Sequence, residues 1–475
     1  MLAVFPSLNR VASPVFTKVS SIQPDDPQRP GIGVRRDRGK VPDVADLKAT
    51  LAAKIPSWRG EVRDLIRRHG DTVIAQITIE QLFKGLRGVR AIHCDTSYVD
   101  PEEGLLIRGI PVLDLVEEGR SPEAVFFLLC TGDLPDAAAL AALREELAAR
   151  ANVPYYVWNL IHSLPDDTHP MVLLSLSMLS MQRESVFLKR YNEGMSRADY
   201  WEATLEDGLN IVARLPAIAA GIYRLRMLGQ PRISPSRDAG WVENFAHMLG
   251  IDDPQGTIRE FLRRFAIVHS DHEGANASVL TSRISNSTLS DLYYSISGAM
   301  NCLSGPLHGL ANQETVKFNQ QILAHFGGVP SDAALAEYVW DYLEQGKVVP
   351  GFGHAVLRHL DPRFLALEAL GRKACMDEPL FQMVERLAEV VPPLLKKQGK
   401  AKNPYPNIDG ISGAMLYHYG IRELSYYTVM FSVSQVLGIV AQLLINQALN
   451  GAILRPRSVT TDWLRGQVGD ARSDV

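Results

Sequence analysis

The sequence predicts a mainly α-helical fold with a minor β element near residues 75–110. Apolar residues recur at spacings of three and four along most of the chain, which is the period of a helix that buries one face. Long runs of alternating apolar and polar residues are absent, and so is a regular succession of strands and helices, which argues against a large sheet. A chain of 475 residues is also long enough for two or more cores.

The segments with helical spacing define the predicted elements in chain order. They are Val44–Ala53, Glu61–His69, Pro122–Leu129, Ala137–Arg150, Pro170–Ser180, Tyr200–Leu215, Gly256–Ser270, Thr288–Leu303, Asp332–Gln345, Glu378–Val391 and Ser425–Leu449. The strand candidates are short and early, at Gln76–Thr78 and around Ile92–Tyr98. A turn is predicted directly afterwards, at Asp100-Pro101-Glu102-Glu103-Gly104.

The last helical segment contains an uncharged stretch, Tyr426–Leu449, that is long enough to span a bilayer. No second stretch of this kind accompanies it, and polar residues occur along it. These are Ser432, Ser434, Gln435, Gln442, Asn446 and Gln447. We therefore predict a helix buried in the core or in a subunit interface, and no membrane partner.

Composition and charge narrow the function classes. Hydrophobic residues make up 46% of the chain and charged residues 21%, as expected for a globular protein. The net charge of -4 gives no electrostatic reason to expect a nucleic-acid partner. The four cysteines form no C-x-x-C pair, so we expect a reducing compartment and neither a disulfide framework nor a structural zinc site.

The N-terminal region predicts a flexible tail over residues 1–40. Its second half, Gln23–Lys40, is rich in proline, glycine and charge, which is typical of a linker. Residues 1–24 contain Arg10 and Lys18 but no acid, which is a weak likeness to a mitochondrial transit peptide. A cytoplasmic protein with a bacterial tail is the preferred interpretation, and the mitochondrial matrix is the alternative.

Proline and glycine interrupt the helical pattern at residues 304–309, 346–353 and 399–413, where a cleft can form. The first interruption lies in Gly305–Glu314, where one helix must end and another can begin near Gly309. His308 is then expected at a helix N-terminus, where the helix dipole keeps its ring neutral. A neutral ring N–H can donate to a carbonyl oxygen that turns into an enolate. A capping histidine without a catalytic role is the alternative.

The second interruption lies in Val348–Arg358 and presents His354. Gly351-x-Gly353 lacks the third glycine of a dinucleotide fingerprint, because position 356 is valine. The glycines instead let the backbone approach a ligand, with His354 at the start of the next helix. Arg363 follows, and its guanidinium can hold a carboxylate through two hydrogen bonds.

The third interruption, Gly399–Gly410, contains Lys400, Lys402 and two prolines, and it leads to Asp409. A rigid basic loop suits phosphate groups, although a solvated surface loop has the same composition.

A fourth cluster, His269–Gly274, has the order H-x-x-H-E. This order differs from the zinc-peptidase motifs, so no metal is expected. Hydrogen bonding to a substrate or a buried polar network is the preferred interpretation.

Taken together, these segments resemble the citrate synthase family in its longer, eukaryote-like form. The likeness runs from about Leu47 to Leu464 and also includes Tyr426–Val429 and Arg455-Pro456. It implies a helical homodimer whose large domain covers residues 41–308 and 416–475. A small domain over residues 309–415 would close over the active-site cleft. The implied partners are an acyl-CoA and a keto diacid, without a metal or redox cofactor.

The resemblance also implies roles for single residues. Asp409 would remove the methyl proton of acetyl-CoA, His308 would hydrogen-bond the thioester oxygen, and His354 would polarise the ketone of oxaloacetate. Hydrolysis of citryl-CoA would follow. The implied carboxylate contacts are His269, Arg363 and, across the dimer interface, Arg455. The implied CoA contacts are Arg87, Lys400, Lys402, Asn407 and Lys189, the last at a position where the family often has arginine.

Three positions depart from the family pattern. Gln435 stands where an arginine usually binds a carboxylate of oxaloacetate, and its loss removes one charge-assisted hydrogen bond unless Arg455 or Arg422 compensates. Gly410-Ile411 stands where the family tends to have a small residue followed by a polar one. Leu280 stands where the family usually has a histidine. Each change makes the pocket less polar or less cationic.

Three functions are therefore weighed. The first is citrate synthase. The second is a relative that uses a longer acyl-CoA, forming methylcitrate or an alkylcitrate, or a different keto acid. The third is a catalytically weak regulatory paralogue, against which the presence of His308, His354 and Asp409 argues.

Overall fold

The structure is a computed structural model that describes residues 46–469. The predicted flexible tail over residues 1–40, including the stretch compared with a transit peptide, lies outside the described residues. The described part is mainly helical, as predicted, with one small sheet near its N-terminal side.

The elements follow one another in a largely helical order. The first helices are α1 (Leu47–His69), α2 (Ile79–Phe83), α3 (Val112–Glu117), α4 (Pro122–Thr131), α5 (Ala137–Arg150), α6 (Tyr155–Ser163), α7 (Pro170–Ser180), α8 (Val186–Asn192), α9 (Tyr200–Ile222) and α10 (Trp241–Leu249). They are followed by α11 (Thr257–Val268), α12 (Ala277–Ser287), α13 (Leu292–Leu303), α14 (Ala311–Phe326), α15 (Asp332–Glu344), α16 (Pro362–Ala374), α17 (Pro379–Gln398), α18 (Asp409–His418), α19 (Tyr427–Ala448) and α20 (Thr461–Gln467). The strands are β1 (Ser97–Asp100), β2 (Gly104–Ile107) and β3 (Ile110–Pro111).

The three strands form an antiparallel sheet in the order β1-β2-β3. Asp100 pairs with Gly104 at the predicted turn, where the Asp100 carboxylate accepts the N–H groups of Glu102 (2.8 Å) and Glu103 (3.0 Å). The minor β element and its turn are thus confirmed. The predicted strand at Gln76–Thr78 is wrong, because no neighbouring strand pairs with this exposed segment.

Helix α19 forms the centre of the main core and packs against α4, α7, α9, α11, α12 and α13. The stretch Leu424–Ala448 is long and apolar enough to cross a membrane, and 89% of its most apolar window is buried inside the molecule. This is the core helix that the sequence predicts. Gly438 lies where the chain after α11 crosses this helix, and its N–H donates to the Ser270 carbonyl at 2.9 Å. A Cβ at Gly438 would lie 2.4 Å from that oxygen, so the close approach requires glycine.

A second apolar cluster lies within residues 318–395 and joins α14, α15 and α17. Its buried members are Phe318, Ile322, Leu335, Val339, Leu343, Val349, Met383, Leu387, Val391 and Leu395. Helices α16 and α18 contribute Phe364 and Ile411 to the main core instead. The predicted division into a large and a small domain therefore stays a prediction.

Candidate active site

Two of the predicted interruptions lie side by side, between α15 and α16 and before α18. The N–H of Gly353 donates to the Tyr405 carbonyl at 3.0 Å, and the N–H of Asn407 donates to the Gly351 carbonyl at 2.9 Å. Gly351 has a φ of +78°, and a Cβ there would lie 2.6 Å from the Cα of Gly410. A residue with a side chain would therefore push the two loops apart. The pairing brings the loop of His354 next to the loop that leads to Asp409.

His354 lies in irregular chain rather than at a helix start, because α16 begins only at Pro362. Its Nδ1 accepts the N–H groups of Val356 (3.1 Å) and Leu357 (3.0 Å). The Nδ1 lone pair is thereby occupied, so the neutral ring carries its proton on Nε2. Burial, assisted by the nearby Arg363 charge, lowers the pKa of His354 to about 4. At neutral pH the ring is an uncharged N–H donor.

Arg363 is buried beside His354 and forms a paired contact with Asp361. Its Nε lies 3.0 Å from Asp361 Oδ1 and its Nη2 lies 2.8 Å from Oδ2. The N–H of Ile408 also donates to Asp361 Oδ2, at 3.2 Å, so one carboxylate holds both Arg363 and the chain before Asp409. Within the described residues, Nη1 of Arg363 has no hydrogen-bond acceptor and remains free for a ligand carboxylate.

Asp409 is the first residue of α18, and its backbone N–H donates to Asn407 Oδ1 at 3.0 Å. Its carboxylate accepts no hydrogen bond from the described residues. Burial raises the pKa of Asp409 to about 6, with Arg363 lowering it and Asp361 raising it further. A carboxylate with this pKa is ionised at neutral pH and is basic enough to accept a proton from carbon with help from an electrophile.

His308 lies between α13 and α14, and its Nε2 faces the N-terminus of α12. The Ser278 N–H donates to Nε2 at 3.3 Å, and the Ser278 hydroxyl lies 3.0 Å from the same atom. The helix start that contacts His308 is therefore that of α12, whereas α14 begins only at Ala311. Burial lowers the pKa of His308. With Nε2 occupied as an acceptor, the neutral ring carries its proton on Nδ1.

The two histidines that follow α11, His269 and His272, lie in different environments. His269 is buried, its Nδ1 lies 2.9 Å from the Phe265 carbonyl, and its Nε2 has no partner among the described residues. His272, by contrast, has its ring centre 5.8 Å from that of His354. Burial, and secondarily the charge of Arg363, lowers the pKa of His272 to about 3. His272 is thus a second neutral histidine beside His354, whereas a carboxylate contact of His269 stays a prediction.

Gln435 is buried on α19. Its hydrogen-bond partners are Asn276 and Ser278, and Ser278 also contacts His308; Arg363 is not a partner. The Gln435 Nε2 lies 2.9 Å from the Ser278 hydroxyl and 3.4 Å from Asn276 Oδ1. A contact with substrate, as expected from the family, stays a prediction.

A cavity of about 240 Å³ lies where the two paired loops meet α15 and α17. Its lining includes Phe352, Gly353, Lys400 and Asn403 beside apolar residues of the second cluster. Lys402 is exposed and lies two residues after Lys400 in the sequence. Asn407 uses its amide to join the loops, since its Nδ2 donates to the Gly353 carbonyl at 2.8 Å.

The other predicted contact residues form no hydrogen bond with these loops. Arg87, Lys189 and Arg455 are exposed, and no side-chain hydrogen bond links any of them to another described residue. Their roles stay predictions. Over residues 46–469, no group of three or more His, Cys, Asp or Glu side chains is placed to hold a metal ion.

His354, Arg363 and Asp409 stand on the two paired loops and the start of α16, and His308 contacts the start of α12. Together these residues supply two neutral imidazole donors, one carboxylate of raised pKa and one guanidinium with a free nitrogen. A carboxylate base and an imidazole donor can together remove a proton next to a carbonyl group and stabilise the enolate. The second imidazole and the guanidinium can hold and activate a keto acid. The site can therefore join two carbonyl compounds through a carbon–carbon bond.

Comparisons with known proteins agree with this chemistry. The family model described as citrate synthase, C-terminal domain, matches residues 85–457. Citrate synthase 4, mitochondrial, of Arabidopsis thaliana is 42% identical over 436 residues, which cover 90% of this chain and 92% of that protein. The mitochondrial citrate synthase of Daucus carota is 41% identical over 427 residues, covering 88% and 90%. The crystal structure of citrate synthase from Pyrobaculum aerophilum has a TM-score of 0.72 at 27% identity and covers 82% of this chain and 95% of that one. The chain belongs to the citrate synthase family.

Proposed function

We propose that this enzyme, an acyltransferase of the citrate synthase type, condenses acetyl-CoA with oxaloacetate and hydrolyses citryl-CoA to citrate and CoA. The observation that carries the proposal is that His308 and His354 hold their ring protons on different nitrogen atoms. His308 offers Nδ1–H and His354 offers Nε2–H, while Asp409 is a carboxylate of raised pKa. Enolate formation and ketone activation require such a base with two separate donors.

In the first step, Asp409 takes a proton from the methyl group of acetyl-CoA. Its pKa of about 6 leaves it ionised at neutral pH, yet basic enough to share the proton in the transition state. His308 donates from Nδ1 to the thioester oxygen as negative charge develops there. The lowered pKa of His308 keeps its ring neutral. The thioester oxygen therefore receives a hydrogen bond from a neutral imidazole and not from an imidazolium cation.

In the second step, the enolate carbon attacks the ketone carbon of oxaloacetate. His354 donates from Nε2 to the ketone oxygen, which gains the electron pair of the broken π bond and then a proton. Arg363 holds a carboxylate through its free Nη1, and its pairing with Asp361 fixes the direction of the guanidinium. Water then cleaves the thioester of citryl-CoA and releases citrate and CoA.

We assign the nucleotide portion of CoA to the 240 Å³ cavity between the paired loops. Apolar residues of the second cluster suit a base, and Lys400 supplies a positive charge for phosphate. Arg87, Lys189 and Lys402 would add further phosphate contacts. No metal or redox cofactor enters the proposed steps.

We propose that the enzyme works as a homodimer in which the partner subunit's Arg455 reaches the keto acid. Helix α13 packs against both α7 and α12, and each of the three helices exposes large apolar side chains. These are Val172, Leu179, Ile284 and Tyr294, with exposed fractions between 37% and 49%. Such a face suits a second copy of the chain.

We propose a reducing compartment for the enzyme, since Cys94, Cys130, Cys302 and Cys375 are all free thiols. The relatives from A. thaliana and D. carota are named as mitochondrial. A transit-peptide role of residues 1–24 would place this chain in the matrix, and otherwise the cytoplasm is the expected location.

A second candidate is condensation of a longer acyl-CoA or a different keto acid. Two observations favour it. Gln435 brings a neutral amide where the family usually has a cation, and Ile411 is fully buried two residues after Asp409. The first makes the pocket less cationic and the second makes it less polar.

The release of CoA thiol by the purified protein tests the proposal. Acetyl-, propionyl- and hexanoyl-CoA are each supplied with oxaloacetate, with and without EDTA, and His354→Ala is the control for background hydrolysis. We expect EDTA-insensitive release with acetyl-CoA that is lost in the control. Release only with a longer chain would establish a longer acyl-CoA as the substrate. Silence with all three would contradict condensation with oxaloacetate and would point to a different keto acid or to a non-catalytic role.

A further inference from the structure

Glu273 has a backbone conformation that residues with a side chain rarely adopt. It follows His272 in the turn between α11 and α12, and its φ is +60°. In this left-handed region the Cβ crowds the neighbouring carbonyl oxygen, so the conformation carries strain. The glycine of the turn, Gly274, comes one position later and does not relieve the strain at Glu273. Other contacts must therefore hold Glu273 in place.

Strand β1 supplies two of these contacts. The Glu273 N–H donates to the Ser97 hydroxyl at 2.8 Å, and the Val99 N–H donates to Glu273 Oε1 at 3.0 Å. Strand β1 is the first strand of the sheet and has a neighbouring strand on one side only. The Glu273 carboxylate thus binds a backbone N–H of an edge strand, which would otherwise need a partner from elsewhere.

Asn276 and Gln442 bind the carbonyl groups of the same turn. Asn276 Nδ2 donates to the His272 carbonyl at 2.8 Å and lies 3.2 Å from the Glu273 carbonyl, to which Gln442 Nε2 donates at 3.1 Å. These bonds use main-chain atoms of the turn and remain available when the side chain at position 273 changes. The bond from the Val99 N–H is the one that needs the Glu273 side chain.

The turn between β1 and β2 contacts a second segment of the site, the chain that joins His354 to Arg363. The Pro101 carbonyl accepts the Arg358 N–H at 3.0 Å. Gly104, where β2 begins, packs so closely on α16 that a Cβ there would lie 2.6 Å from a proline carbon of that helix. One sheet therefore contacts both the turn after α11 and the chain that leads into α16.

The ring of His272 depends on its turn for its position. Its centre lies 5.8 Å from that of His354. Burial and, secondarily, the charge of Arg363 lower the pKa of both rings, so that charge lies close to each of them. Within residues 46–469, no other residue forms a hydrogen bond with the His272 ring. The ring therefore moves with its own backbone, which continues directly into Glu273.

We propose that Glu273 is a positioning residue, whose strained backbone and side-chain bond to β1 keep the His272 ring beside His354. The kinetic part of this inference rests on the proposed function, whereas the position of the ring does not. His354 and Arg363 are the proposed contacts of the keto acid. A displaced His272 ring should therefore disturb the use of oxaloacetate more than that of acetyl-CoA.

Three substitutions of Glu273 separate its side chain from its backbone strain. Glu273→Gln keeps an oxygen that can accept the Val99 N–H. Glu273→Ala removes this acceptor and keeps the strain, whereas Glu273→Gly removes the acceptor and relieves the strain. Asp136→Ala is the matched control, because Asp136 Oδ1 also accepts a backbone N–H, that of Ala139 at 2.8 Å, at the start of α5.

Steady-state kinetics provide the first readout. For Glu273→Ala and Glu273→Gly we expect the KM for oxaloacetate to rise by about tenfold, with the KM for acetyl-CoA changed by no more than about threefold. Glu273→Gln and Asp136→Ala should keep both KM values within about threefold of normal. Glu273→Gly should unfold at a higher temperature than Glu273→Ala, so a similar rise of KM in both would not follow from instability.

NMR of ring-13C-labelled histidine gives a readout that needs no activity, with the His272 signal assigned from a His272→Asn variant. The pKa of His272 is lowered to about 3 by burial first, and then by the charges of Arg363 and His354, which Asp361 opposes. Its signal should therefore stay constant between about pH 5 and pH 8 in the unsubstituted enzyme, Glu273→Gln and Asp136→Ala. In Glu273→Gly it should titrate near pH 6, because a loosened turn exposes the ring to water.

A normal KM for oxaloacetate in Glu273→Gly, together with an unchanged His272 signal, would overturn the inference. Equal rises of this KM in Glu273→Gln and Glu273→Ala would also overturn it, because glutamine keeps the acceptor. A His272 signal that titrates in Glu273→Gly, in a protein whose unsubstituted form has no condensation activity, would support the positioning and contradict the proposed function alone.

Discussion

His308 and His354 differ in the ring nitrogen that the backbone occupies. In His354, two N–H groups bind Nδ1, and in His308 a helix N-terminal N–H binds Nε2. The free N–H is consequently on Nε2 in one ring and on Nδ1 in the other. Both rings have lowered pKa values, so neither adds a positive charge to a cleft that already contains Arg363. The raised pKa of Asp409 is accordingly set by burial, with opposing contributions from Arg363 and Asp361.

Replacing Asp409 by asparagine should lower activity and raise the stability of the folded protein. Removal of the base should lower kcat by about 10²- to 10⁴-fold, while CoA binding stays close to normal. The folded protein should also become more stable above pH 6, by about 1 to 3 kcal/mol, because a buried carboxylate without donors is removed. Activity assays and urea unfolding at several pH values measure the two effects.

The sign of the pH dependence follows from the direction of the shift. The folded pKa of Asp409, about 6, is above its ordinary value, so the folded state binds the proton more tightly than the unfolded chain does. The destabilisation by the ionised carboxylate is present above the folded pKa and is relieved as pH falls toward the ordinary value. The advantage of Asp409→Asn should thus vanish near pH 4. An advantage that persists there, or appears equally in the exposed Asp167→Asn control, would show that the carboxylate at position 409 is not the cause.

Sequence patterns indicate the residues proposed to react more readily than the residues that contact them. His308, His354 and Asp409 stand beside glycine or proline, where helices are interrupted. His269 and His272 occur in one short motif, but the His269 ring packs against Phe431 and the His272 ring lies near that of His354. Ser278 contacts His308 across 30 positions and Gln435 across 157. No local pattern in one sequence encodes such pairs.

The helices that line the cleft are the hardest elements to predict from periodicity. Helix α12 is rich in serine, and α18 contains two glycines, so neither has a continuous apolar stripe. Helix α1 continues through Pro56 as one helix where two are predicted, since packing against the core outweighs one lost hydrogen bond. Helix α9 likewise continues through Pro216 to Ile222. Helices α5 and α7 agree with their predicted bounds, since Asp136 caps the first and Pro170 begins the second.

The contact between the two paired loops predicts a specific effect of Gly351→Ala. The substitution places a Cβ against the Gly410 backbone, which cannot move aside as a flexible side chain would. The loops should separate and shift Asp409 relative to His354, lowering kcat by about tenfold or more. The positive φ adds a destabilisation of about 1 to 2 kcal/mol. Steady-state kinetics and thermal unfolding measure the two effects.

Gly346→Ala provides the matched control for backbone strain. Gly346 has a φ of +76°, close to that of Gly351, but a Cβ at this position would meet no other atom within 4 Å. The variant should lose a similar amount of stability and keep nearly full kcat. Equal kcat losses in both variants would mean that strain, and not the contact between loops, governs activity.

At the scale of the whole molecule, the described residues contain two apolar clusters, and the candidate site residues stand on elements and loops beside them. Asp361 and Arg363 stand at the start of α16, which packs on the main core, while Asp409 follows the loop beside the second cluster. Composition and periodicity predict that more than one core exists. They do not predict which elements belong to each, because α16 interrupts the second cluster in sequence and α18 follows it, yet both contribute side chains to the first.

The proposed dimer makes a whole-molecule prediction through Arg455. The Arg455→Ala and His354→Ala homodimers should each be nearly inactive. In a mixed dimer, one site would combine an intact His354 with the partner subunit's intact Arg455, while the other site would lack both. Co-expression should therefore restore about a quarter of normal activity, because about half of the dimers are mixed and each has one complete site. If Arg455 served the site of its own chain, no mixed dimer would contain a complete site and activity would stay at the level of the single variants. A shift to monomers in light scattering for Ile284→Glu, together with loss of this complementation, would tie the effect to the face formed by α7, α12 and α13.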